Sequence, residues 1–101
     1  MEAATAFHGY KSERCRALKS LLNAVVSAKG GVYTVSSKLV ARIVGFYDDM
    51  RHCEICHDVY NTIRYLAVAK KIVVQTLPGR VVVHRTKLIE LLRELVESEC
   101  P

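Results

Sequence analysis

The chain has no tryptophan, two prolines and five glycines in 101 residues. So few breakers leave no room for a proline-rich linker or a glycine-rich low-complexity segment. No apolar run approaches the ~20 residues that a membrane-spanning helix needs. The N-terminal MEAATAFHGY has no basic start followed by an apolar stretch. The expected location is therefore the cytoplasm, with no membrane partner. Amides are nearly missing: Asn23, Asn61 and Gln75 are the only ones. Thermophile proteins tend to avoid these labile side chains, which hints at a hot source. Also missing are a glycine-rich phosphate loop, a nucleophile motif and an HExxH zinc helix. Asp48-Asp49 is a carboxylate pair without an obvious partner. An enzyme is not expected, no cofactor is implied, and no small-molecule substrate is evident.

What is there suits one globular domain, residues 1–101. Half of the residues are hydrophobic, which argues against disorder over most of the length. A chain of this size buries roughly 65% of its unfolded surface, enough for a core without metal or disulfide help. Net charge is +5 and the pI about 9.2, but the distribution matters more. Residues 1–42 carry seven basic and two acidic side chains, and residues 43–60 carry one and four. Residues 61–87 carry six basic and none acidic, and residues 88–101 carry one and four. A basic stretch of that kind suits a polyanion. The acidic group Asp48, Asp49, Glu54 and Asp58 works against it.

Hydrophobic periodicity divides the chain into short elements. Residues 1–10 read as a flexible end, and Ser12 as an N-cap with Glu13 in the first turn. Cys15, Leu18, Leu21, Leu22, Val25 and Val26 then form one helical stripe, ending near Gly30-Gly31. Val32–Val35 is too short for a helix and rich in β-formers, a small strand for a later hairpin. Ser36 or Ser37 caps a helix with Leu39, Val40, Ile43 and Val44 on its buried face, ending at Gly45. Phe46–His52 is a turn. From Cys53 to Lys71 a longer helix turns Ile55, Val59, Ile63 and Leu66 inward, within about 80° of one another. Its other side carries His57, Asn61, Arg64 and Val68, flanked by Cys53, Glu54, Tyr60 and Tyr65. Ile72–Thr76 and Arg80–His84 are hairpin strands. Leu77-Pro78-Gly79-Arg80 suits a type II turn, with proline at the second position and glycine at the third. Thr86 caps a last helix, 86–99, with Leu88, Leu91, Leu92, Leu95 and Val96 along one side. On its outer side Glu90, Arg93 and Glu97 are spaced to pair.

The fold class is thus α+β, mostly helical, in the order α-β-α-α-β-β-α. Over residues 12–97 this order, above all Val35 to His84, resembles the winged helix-turn-helix superfamily, and within it the small archaeal DNA-binding proteins. The resemblance implies that helix 53–71 enters the major groove of double-stranded DNA and that the wing, 72–84, meets the backbone. Asn61 and Arg64, one turn apart, would read bases, since Asn pairs with adenine and Arg with guanine. His57 shares their face. Lys70, Lys71, Arg80 and Arg85 would neutralise phosphates. Lys38, Arg42, Arg14, Arg16 and Lys19 are weaker candidates. A transcriptional regulator or chromosome-associated factor follows, nucleoid-associated within the cytoplasm.

Two alternatives stay open. Winged helices also serve as protein-interaction modules, and the acidic turn with exposed Tyr65 and Val68 fits that use. His52-Cys53-Glu54-Ile55-Cys56-His57 opens the other. It matches the C-x-x-C-H of haem attachment, which requires export. Cys53, Cys56 and His57 supply three of the four ligands a zinc site needs. A CxxC pair at a helix N-terminus also suits a redox-responsive regulator. Cys15 and Cys100 sit on the first and last helices, where a disulfide would fit a hyperthermophile. Four cysteines allow three full pairings. The broad stripe of the last helix suits either the core or a homodimer through helices 12–29 and 86–99.

Overall fold

The computed structural model describes residues 2–45 and 53–100, with the backbone alone over 2–10. The elements run α1 (Glu2–Ser27), β1 (Val32–Ser36), α2 (Ser37–Val44), α3 (Glu54–Ala69), β2 (Val73–Leu77), β3 (Arg80–His84) and α4 (Arg85–Glu99). The class is α+β and mostly helical, with the expected element order. The turn expected over 46–52, with Asp48, Asp49 and His52, lies outside the described residues.

The three strands form one antiparallel sheet in the order β1-β3-β2. β3 is central because both neighbours need a partner and only β3 follows β2 through a tight turn. Gly79 at φ 73° makes that turn, as its position after Pro78 requires. β1 pairs with β3 from Val32↔His84 to Ser36↔Arg80. On the other side the register slips between Val73 and Gln75, so Val74 is an extra residue in β2. Val81 and Val83 of β3 are buried and alternate with less covered neighbours, as a half-covered strand dictates.

α2 follows the sequence reading closely. Ser36 is extended, and its Oγ accepts a hydrogen bond from the Leu39 N–H at 3.0 Å. Gly45 closes the helix at φ 93°, its N–H donating to Ala41 O. α1 departs from it. The helix starts at Glu2, so Ser12 lies inside it and is not a cap. α4 starts at Arg85, behind His84, with no side-chain cap; Thr86 lies inside its first turn. β2 runs Val73–Leu77, one residue later than expected.

The core joins the helices to one face of the sheet. Leu18, Leu21 and Val25 of α1 meet Leu88, Leu91 and Leu92 of α4, with Val59 and Ile63 of α3 and Val81 and Val83 of β3. α1 and α4 pack extensively on each other within the chain, and a disulfide joins Cys15 to Cys100 with their Cα atoms 5.5 Å apart. The stripes that suggested a homodimer through these helices are therefore absorbed by intrachain packing. Val26, at the end of the α1 stripe, stays 46% exposed.

Candidate nucleic-acid interface

α3 begins at a sulfur cap. Cys53 occupies the N-cap position, and its Sγ accepts the Cys56 N–H at 3.2 Å. The same two residues form the second disulfide. Both are buried, which corrects the placing of Cys53 on the outer flank. A disulfide has no thiolate to offer, so in this state Cys53 and Cys56 cannot join His57 as zinc ligands. Among the described residues no three His, Cys, Asp or Glu side chains gather as a metal site would need.

The buried stripe of α3 is Cys56, Val59, Tyr60, Ile63 and Ala67. It is rotated from the expected one: Ile55 and Leu66 are only half-buried. Tyr60 lies in the core rather than on the outer flank. An aromatic ring with one polar tip satisfies both demands, and its hydroxyl accepts a hydrogen bond from Arg64 Nη1 at 3.3 Å. That bond draws the half-buried Arg64 back along the helix. The exposed face is left with His57, Asn61, Tyr65, Val68 and Ala69. Asn61, Arg64, Tyr65, Val68 and Ala69 line one shallow depression. Tyr65 is 74% exposed and Val68 55%, so the middle of this face is apolar. His57 sits nearer the start of the helix, its Nδ1 3.2 Å from Ser37 Oγ of α2.

The end of α3 is a Schellman turn. The Lys71 N–H donates to Val68 O and the Ile72 N–H to Ala67 O. Lys71 takes the left-handed position, φ 58°, that glycine usually fills. Its side chain is exposed. Lys70 points elsewhere, its Nζ 2.8 Å from Glu94 of α4. Arg80 is exposed at the hairpin tip. Arg85 is half-buried at the start of α4, its N–H bonded to Gly31 O, and its Nε is buried without a hydrogen-bond partner among the described residues. The seven expected contact residues thus fall into separate groups. Asn61 and Arg64 share one patch, Lys71 follows it, and Arg80 and Arg85 stand on other elements.

The acidic obstacle is smaller than the sequence suggests. Asp58 forms a salt bridge with Arg14 Nη1 at 2.7 Å. Arg14 also reaches Glu99 at 2.5 Å and Thr62 Oγ1 at 3.3 Å. The hydrogen bond to Glu99 raises the Arg14 pKa above the usual guanidinium value, burial partly offsets this, and the Asp58 charge adds to it. Arg14 is therefore a tie between α1, α3 and α4 rather than a phosphate contact. Glu54 remains exposed at the first turn of α3, where the helix dipole favours it. No local pattern in the sequence signals the Arg14 cluster, because its partners lie 44 to 85 positions away.

Among the described residues no helix is long and apolar enough to cross a membrane. No protein-family model, curated protein or solved structure matches this chain.

Proposed function

We propose that this protein is a winged helix that binds double-stranded DNA, with α3 in the major groove and the β2–β3 hairpin as the wing, and that it serves as a transcriptional regulator or chromosome-associated factor. One observation carries the reading. From Asn61 through Lys87 the chain has no carboxylate, and the nearest one before it, Asp58, is held by Arg14. The exposed half of α3 and the whole hairpin therefore bring no acid of their own to a polyanion, and Glu94 beside them is paired with Lys70. The strand order β1-β3-β2 also suits a wing, since it leaves β2 and the turn at Pro78-Gly79 on the sheet's edge. Asn61 faces bases, while Arg64, bonded to Tyr60, stands back from them. Lys71, Arg80 and Arg85 hold phosphates, and Lys70 contributes less because Glu94 occupies it.

A salt titration of binding to a random duplex of about 30 base pairs, read by fluorescence anisotropy, tests this. Three neutralised phosphates give a slope of about −3 in log K against log salt. No binding at ~20 mM salt removes the reading. Tyr65 and Val68 favour the second one, a protein-interaction module, whose partner affinity would change little with salt and would survive alanine at Arg80. The CxxC adds a third test. Equal duplex affinity before and after serine replaces both Cys53 and Cys56 eliminates a redox- or metal-responsive regulator.

A further inference from the structure

We infer that the exposed face of α3 reads A·T base pairs, and that it does so through the thymine C5-methyl group, with Val68 and Tyr65 as the specificity-determining side chains. The inference rests on the DNA-binding reading above and adds what that reading leaves open: which bases the helix selects.

The side chains on offer decide the matter. At 3.6 residues per turn, Asn61, Tyr65 and Val68 fall within about 60° of one another. They make a single stripe about 10 Å long, or three base-pair steps of roughly 3.4 Å. Asn61 is exposed, and its amide matches the N6 and N7 edge of adenine. Tyr65 and Val68 are the two most exposed large hydrophobic side chains of the described residues. In the major groove the one apolar group is the thymine methyl, which Val68 and the ring of Tyr65 can cover. The side chain suited to guanine, Arg64, is withdrawn: its Nη1 donates to Tyr60 Oη at 3.3 Å and it is half-buried. Both halves of an A·T pair thus find a partner on the stripe, whereas guanine finds only a tethered one.

Charge sets which part of the helix enters. Glu54 is exposed in the first turn and would meet phosphates if that end went in first. The half from Asn61 onward has no acid and ends at Lys71, so the docking half is also the apolar half. A protein partner would cover the same valine and tyrosine, and the test separates the two occupants.

Two duplexes of about 30 base pairs, one of alternating A·T and one identical but with deoxyuridine for thymidine, carry the same backbone charge and differ only in the methyl groups. Anisotropy titrations at one fixed salt concentration should show the thymine duplex bound about four-fold tighter for each methyl covered. Val68→Ser should reduce the ratio between the two affinities. Val68 is half exposed, so the fold is not at stake in this variant. Equal affinity of the protein for both duplexes overturns the methyl readout and leaves DNA binding standing. A difference that persists in Val68→Ser overturns the assignment to Val68. Failure to bind either duplex at ~20 mM salt is the separate failure of the DNA reading, and directs the face to a protein partner.

Discussion

Arg14 Nε lies 2.5 Å from Glu99 Oε1, and the next residue of each, Cys15 and Cys100, is joined to the other by a disulfide. One ion pair and one covalent bond thus fix the same point of contact between α1 and α4, and Arg14 extends the hold to Asp58 of α3. Its side chain is only 15% exposed, so solvent screens the cluster less than it would a surface pair. Arg14→Met should cost about 1–2 kcal/mol, between an exposed ion pair and a set of charge-assisted hydrogen bonds. A urea titration with unchanged slope and a lower midpoint is the expected result. An unchanged midpoint would mean that Asp58 and Glu99 are as well satisfied by water.

The two disulfides should differ in worth. Cys15–Cys100 has a sequence separation of 85 and Cys53–Cys56 of 3. On the loop-entropy account the long closure stabilises by about 4–5 kcal/mol and the short one by about 2 at most. Serine at both Cys15 and Cys100 should therefore lower stability at least twice as far as serine at both Cys53 and Cys56. Equal losses in guanidinium titrations would show that the short bridge acts on the folded state, through the start of α3, rather than on chain entropy.

Lys71 should trade stability against binding. A lysine at φ 58° sits where glycine carries no Cβ penalty, so Lys71→Gly should stabilise the protein by about 1 kcal/mol. The same change removes a phosphate contact and should lower the salt slope of duplex binding by about one. Lys70→Ala should leave that slope unchanged, because Glu94 already pairs with Lys70. If Lys71→Gly leaves the slope unchanged, the assignment of a phosphate to Lys71 is wrong; if Lys70→Ala lowers it as far, Lys70 meets a phosphate despite Glu94.

Alkaline stability should depend on Tyr33. Burial in β1 raises its pKa above 10, so the folded state holds the phenol proton more tightly than the unfolded chain. Its contribution is fully present below about pH 10 and is lost as pH rises from there through the folded value. Melting temperatures from pH 8 to 11 should fall less steeply for Tyr33→Phe than for the parent. Parallel curves would assign the alkaline loss to other groups.

The parts of the fold that were legible in sequence rest on local chemistry. Ser36 and Gly45 bound α2 because a hydroxyl cap and a left-handed glycine act within one turn. Pro78-Gly79 placed the hairpin for the same reason. Position on the surface of α3 was harder to read. Tyr60 and Cys56 belong to the core, and treating Tyr60 as polar turned the helix by roughly one residue, leaving Ile55 and Leu66 in a place deeper than they occupy. For the candidate site, the exposure of Asn61 and Val68 followed from helical spacing. The tether from Arg64 to Tyr60, and the removal of Asp58 and Lys70 from the charge pattern, did not, because they depend on which helices meet. No period in the sequence encodes a contact between residues 14 and 99.

The bridge from Cys15 to Cys100 has a topological consequence. Residues 15–100 form a closed covalent ring, so a single peptide cut anywhere within it opens a loop and releases no fragment. A protease nick at the tip of the hairpin would leave one molecule, held as one body until the bridge is reduced. The ring itself has no free end to unravel from, since Cys15 and Cys100 anchor each other.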